Sequence, residues 1–173
     1  MKKTDIHLHL TFEQHPKTEH MFVSSAEHML PHLRELSIEK GILMSSGEGN
    51  SAVPFGSNGE CRQIAEAFPG IYFWMCNLDD VPENIFERLE TYKNQGAVGI
   101  GELMINRSID DPMIQEIFAA AETLSLPVLF HMSPEVGYEY GIVDDAGLPL
   151  LEESLKKYPN PVSYTHLTLP TIL

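Results

Sequence analysis

The sequence predicts an α/β fold of parallel strands and covering helices, read as part of a (β/α)8 barrel, and three observations carry that prediction. Strand-like and helix-like segments alternate five times with a period of roughly 30 residues, the pattern of a parallel sheet with right-handed crossovers. Residues of metal-ligand type fall toward the C-terminal ends of different strands, the face where barrels of this class place their sites. The first turn, Thr11-Phe12-Glu13-Gln14-His15, has none of the glycines that a doubly wound dinucleotide fold needs there.

The first strand is Asp5-Ile6-His7-Leu8-His9-Leu10. Side chains alternate along a strand, so Asp5, His7 and His9 share one side, with Ile6, Leu8 and Leu10 on the other. Ser24-Ser25-Ala26-Glu27 reads as a capping box, with Ser24 as N-cap. It opens a helix to about Glu39 with Met29, Leu33 and Leu36 on one face. His28 and His32, four apart on that helix, read as exposed histidines rather than ligands. Gly41-Ile42-Leu43-Met44 is a short apolar strand that empties into a long Gly- and Ser-rich loop. Loops of this length usually carry function or lie over a site. Glu48 and Asn50 are its candidate substrate contacts, or else simply shape its turns.

Ser57-x-x-Glu60 is a second capping box, for a helix that ends near Phe68. The aromatic run Ile71–Asn77 is the third strand. Asp80-x-x-Glu83, with Pro82 in the first turn, opens the next helix, which carries Ile85, Leu89 and Tyr92 on one face. Ala97–Leu103 is the fourth strand. Asp111-Pro112 starts a helix through Leu124, with Ile114, Ile117, Phe118 and Ala121 inward. Pro127–Met132 is the fifth strand, and a last helix follows around Leu150 to Tyr158.

Composition bounds the function. The chain has 173 residues, 43% of them hydrophobic, enough for one domain with a core. Its formal net charge of −14 would repel a phosphate backbone or an anionic membrane, so neither nucleic acid nor membrane is expected as a partner. A small molecule is the expected substrate; nothing in the sequence fixes the oligomeric state. Two cysteines, Cys61 and Cys76, form no C-x-x-C pair and read as free thiols of a reducing, cytoplasmic compartment. No apolar run reaches the length of a membrane span.

The chemistry gathers at strand ends. Two strand rises put the roots of His7 and His9 roughly 6–7 Å apart, within reach of one ion. Neutral imidazole is the common nitrogen ligand for zinc and its relatives. The alternative is a half-buried strand with a polar outer face. Glu102 ends the fourth strand after Gly101, where a carboxylate is costly unless paired or metal-bound. His131 ends Val128-Leu129-Phe130. Singly each is weak; together, four ligand-type residues ending three strands point to a metal.

On these residues the chain resembles the amidohydrolase superfamily, and within it the amidohydrolase-related (family 2) metal-dependent hydrolases and decarboxylases. The resemblance covers about Lys3 to Asn160 and rests on His7 and His9, on Gly101-Glu102 and on His131. It implies a (β/α)8 barrel with one or two divalent metals at its C-terminal face. Zinc is the first expectation, with manganese, magnesium or iron as alternatives. It implies that His7, His9 and His131 are ligands and that Glu102 is a ligand or a metal bridge. The implied reaction is hydrolysis of a small organic substrate through a metal-activated water. Decarboxylation on the same barrel is the close alternative. Gly101-Glu102 is also similar to that of TatD-type deoxyribonucleases, against which the acidic surface argues. A non-catalytic α/β module with structural histidines is the reading from another class.

A complete barrel needs about 250 residues. Only five strand–helix units are complete here, with a possible sixth strand in the tail. Residues 1–160 read as the truncated barrel. Residues 161–173 read as translated sequencing-adapter sequence, so His166 is expected to be an adapter-encoded histidine rather than a further ligand. The proton-shuttling aspartate that the family carries at its eighth strand has no counterpart, so the catalytic acid/base is unassigned. The chain as given is expected to be an inactive fragment of a working parent. Tyr138, Tyr140 and Asp144-Asp145, in the loop after the fifth strand, either line the site or form a solvated loop.

Overall fold

Lys3–Leu8 is the first strand, β1, of the computed structural model, which describes residues 2–16, 23–49, 55–159 and, as backbone only, 163–167. Asn50 and the tail positions on either side of 163–167 lie outside the described residues. The chain forms two compact units. The first runs to Asp79 and takes in Gln95–Val98; the second is Asp80–Asn94 and the chain from Gly99 onward.

In the first unit β1 leads to α1 (Ala26–Glu35), β2 (Ile38–Met44), α2 (Asn58–Ala67) and β3 (Tyr72–Met75). The three strands form one parallel sheet in the order β1-β2-β3, with Gly41–Met44 in register against Tyr72–Met75. The parallel arrangement that the alternation predicts is therefore what forms. The core holds Leu43, Met44, Ile64, Tyr72, Trp74 and Met75, each at most 3% exposed. The Tyr72 hydroxyl, buried among them, donates to the Ala26 carbonyl at 2.9 Å.

Several boundaries depart from the sequence reading. β1 ends at Leu8, so His9 and Leu10 lie just past it. Ile6 is 44% exposed, because β1 is the end strand of this sheet. The N-cap of α1 is Ser25, not Ser24: its hydroxyl accepts from the His28 amide at 3.3 Å. The helix stops at Glu35, since Ser37 takes a left-handed conformation (φ 62°) and β2 begins at Ile38. Leu36, expected on the inner face, is the C-cap and is 59% exposed. Ser57 caps α2 as expected, accepting from the Glu60 amide. The Glu60 carboxylate does not return to its own cap, however. Its two oxygens accept from the amides of Phe12 (2.8 Å) and Gly56 (2.6 Å), so it ties the loops after β1 and β2 together.

The second unit contains α3 (Ile85–Asn94), β4 (Ile100–Leu103), α4 (Pro112–Leu124), β5 (Val128–Ser133), the two-residue β6 (Ile142–Val143), α5 (Pro149–Lys157) and β7 (Ser163–Leu167). α3 starts five residues later than Asp80. Asn84 is left-handed (φ 54°), and the Arg88 guanidinium donates to the Val81 and Glu83 carbonyls, holding 80–84 as a turn. Asp80 pairs instead with Arg107 at 2.9 Å. α4 begins where Asp111-Pro112 predicts, with the Asp111 carboxylate accepting from the Met113 amide. It buries Ile114, Ile117, Phe118 and Ala121 as expected.

β5 is buried along its whole length. Val128 and Phe130 each have a backbone partner in both β4 and β7, so these two strands flank β5 on opposite edges, all parallel. β6, which the sequence does not announce, pairs with Met132 and Ser133. The anticipated sixth strand is β7, and its register sets His166 opposite His131.

Candidate functional site

Two local groups carry the metal-type residues, one in each unit. In the first unit, the Asp5 carboxylate accepts from the His7 amide at 3.0 Å and fixes the backbone entering the pair. His7 is half-buried and His9 exposed. Their rings tilt together, centroids 5.0 Å apart, and bring the two Nε2 atoms to 3.0 Å. In the metal-free protein such a contact requires one ring to present N–H and the other its lone pair. Two nitrogens bound at 2.0–2.1 Å to one tetrahedral ion would stand about 3.3 Å apart. The observed spacing is close to that value. The donor chemistry and the convergence of the two lone-pair positions thus fit a divalent ion.

In the second unit, Glu102 and His131 are buried, at 4% and 9% exposure. They meet through His131 Nδ1 and Glu102 Oε1 at 2.9 Å. A buried carboxylate is tolerable when paired in this way. With Glu102 ionised, its oxygen accepts and the imidazole proton of this bond sits on Nδ1. A carboxylate gripping one ring nitrogen is the usual support of a histidine that ligates through the other. The Tyr140 ring meets the His131 ring edge-on, centroids 4.7 Å apart. The Gly101–Glu102 peptide is cis. Ser133, two residues past His131 on the same strand, has a buried hydroxyl with no hydrogen-bond partner among the described residues.

The other sequence candidates divide. The Glu48 and Asp79 residues clamp each other: the Glu48 amide donates to Asp79 Oδ1 at 2.8 Å, and the Asp79 amide donates to Glu48 Oε2 at 3.1 Å. Glu48 is thereby held in the loop after β2. Asp144 caps α5, its two oxygens accepting from the Leu150 and Leu151 amides. Tyr138 is 54% exposed. His28 and His32 are exposed as expected, and His32 lies 4.0 Å from the Glu35 carboxylate.

Two features escaped the sequence reading. Asn58 and Asn77 are buried and exchange hydrogen bonds: the Asn58 side-chain amide donates to the Asn77 carbonyl, and the Asn77 backbone amide to Asn58 Oδ1. The Asn77 side chain continues to the Ser45 carbonyl at 3.3 Å, joining the ends of β2 and β3. Asn106 holds the loop after β5. Its Nδ2 donates to the carbonyls of Glu135 (3.3 Å) and Gly141 (2.8 Å), and its Oδ1 accepts from the Gly137 amide (2.6 Å). Nothing in one sequence marks an asparagine that caps a distant loop.

The thiols are not part of the chemistry. Burial pushes both Cys61 and Cys76 up to about 12, with Glu60 adding to the first and Glu48 to the second. Both stay protonated and inert at neutral pH. Among the described residues no helix is long and apolar enough to cross a membrane.

No protein-family model matches the chain, and no curated protein matches it. Solved structures do. A probable 2-pyrone-4,6-dicarboxylic acid hydrolase from Acinetobacter baumannii, with citric acid bound, is 16% identical at a TM-score of 0.54, over 95% of this chain and 69% of that one. An uncharacterized TIM-barrel protein from Bordetella bronchiseptica is 14% identical at 0.61, over 94% of this chain and 66% of that one. A 5-carboxyvanillate decarboxylase from Novosphingobium aromaticivorans, complexed with manganese and 4-hydroxy-3-methoxy-5-nitrobenzoic acid, is 13% identical at 0.63, over 96% of this chain and 64% of that one. The chain thus spans about two thirds of the length of these structures, and over nearly all of its own length its fold is the α/β fold of TIM-barrel proteins.

Proposed function

We propose that the chain is part of a metal-dependent hydrolase of the amidohydrolase type, with His7 and His9 in the first unit and Glu102 and His131 in the second as its metal-binding residues. The observation that carries this reading is the 3.0 Å approach of the two Nε2 atoms in the first strand's His-x-His. Zinc and manganese both suit imidazole and carboxylate donors. A bound ion of this kind supplies Lewis acidity, making water available as hydroxide near neutral pH and polarising a carbonyl oxygen.

The chain's own residues prepare for that ion. Asp5 fixes the backbone at His7, and the His7–His9 tilt aims two nitrogens at one point. Glu102, bonded at Nδ1, orients the His131 ring, with Nε2 as the proposed donor to the ion. Glu48 and Asn50 are the proposed substrate contacts of the loop after β2, with Glu48 held in place by Asp79. The proposed substrate is a small organic molecule, in keeping with an acidic chain that a polyanion would avoid.

Decarboxylation at the same ion is a second reading. It is favoured by the likeness to the Novosphingobium decarboxylase, whose structure carries manganese. Because the chain alone is expected to be inactive, the test uses a longer chain that completes the barrel: an assay that follows both ester or lactone opening and carbon dioxide release, with Mn²⁺ or Zn²⁺ supplied, separates the two. Turnover that a chelator removes and His7→Ala abolishes supports the proposal. Turnover indifferent to chelator and to that substitution overturns it.

A further inference from the structure

We infer that Asn106 and Tyr140 are positioning residues for His131, acting through the loop of residues 134–141. The inference rests on the reading of His131 as a metal ligand and names what sets its ring. Residues 134–140 are exposed and belong to no helix or strand, so packing alone does not order them. Asn106 does so instead. Its side chain makes three hydrogen bonds to the loop's backbone, at Glu135, Gly137 and Gly141. The loop's return is fixed as well: the Gly141 amide donates to the Met104 carbonyl at 2.7 Å. Gly141 has φ 104°, and a Cβ there would stand 2.9 Å from Ser133 Cβ, so only glycine lets the chain come this close to β5.

The residue delivered by this arrangement is Tyr140. It is 47% exposed, yet its ring sits edge-on against His131 at 4.7 Å between centroids. His131 is thus gripped at Nδ1 by Glu102 and walled by an aromatic ring held through Asn106. An imidazole restrained in both ways keeps one tautomer and one orientation, which is what a ligating nitrogen requires. The contact uses the Tyr140 ring and not its hydroxyl.

The test compares the full chain with Asn106→Ala, Tyr140→Ala and Tyr140→Phe. The first readout is the pair of His131 imidazole nitrogen shifts by NMR, recorded at one pH without metal. The second is the Kd for Zn²⁺ by calorimetry. We expect a single Nδ1-protonated tautomer in the wild type and in Tyr140→Phe. In Asn106→Ala and Tyr140→Ala, where the Glu102 bond is untouched, we expect the same tautomer but a ring that reorients, read as exchange-broadened His131 nitrogen signals, and a Zn²⁺ Kd raised on the order of tenfold. Tyr140→Ala alters an exposed side chain, so the fold is retained even if Asn106→Ala loosens it. A wild type whose His131 nitrogen signals are already broadened, or two alanine variants with wild-type signals, overturns the inference. A wild type that takes up no Zn²⁺ while the sharpness of its His131 ring signals still depends on Asn106 and Tyr140 removes the ligand reading and upholds the positioning.

Discussion

The His7–His9 pair and the Glu102–His131 pair are built from the same kinds of side chain and held in opposite ways. His7 lies on the end strand of a three-stranded sheet and His9 just past it, one half-buried and one exposed, and they lean on each other through their Nε2 atoms. Glu102 and His131 lie in a sheet interior, under 10% exposed, and meet as carboxylate and imidazole. The first pair is reached by solvent. The second is part of the fold, because neither member could be buried without the other.

The largest expected effect tests the buried half of this contrast. Glu102→Ala leaves His131 Nδ1 without its acceptor and should lower stability by about 2–3 kcal/mol, read as a shift in the urea midpoint. A change below about 0.5 kcal/mol would show that the pair does not support the fold. Burial should decide within the first unit too. Cys61 and Cys76 are raised from 9.0 to about 12, so between these values the unfolded chain ionises while the native chain stays protonated. Their stabilisation is full below pH 9 and is lost as pH rises toward 12, by about 1.4 kcal/mol per pH unit for each thiol. Melting temperature followed from pH 8 to 10.5 should fall less steeply in Cys61→Ala and Cys76→Ala than in the wild type.

Smaller effects sharpen the exposed half. Asp5→Ala removes the acceptor for the His7 amide at a partly buried position and should cost about 1 kcal/mol. The double variant H7A/H9A should stay within about 0.5 kcal/mol of wild type in the same denaturation experiment. A loss of several kcal/mol there would mean that these histidines serve the fold, as the non-catalytic α/β reading holds.

The alternation of apolar runs and capping signals made the order of the main strands and helices readable, since their apolar periods differ. Glu102 and His131 were readable because ligand-type residues at the ends of apolar strands are uncommon without a reason. Element ends were less so. Nothing local foretells that Ser37 or Asn84 turns left-handed, and those two residues moved the end of α1 and the start of α3. Glu60 looked like half of a capping box, yet its carboxylate went to Phe12 and Gly56. Asn77 and Asn106 act on residues far along the chain, and a single sequence carries no trace of such partners.

The central claim is that the first strand's histidines hold a divalent ion. Calorimetric titration of the chain with Zn²⁺ and with Mn²⁺, beside H7A/H9A, tests it most directly. The account predicts saturable binding by the wild type and its loss in H7A/H9A, with the two proteins equally stable without metal. Equal binding by both proteins, or none by either, would contradict it.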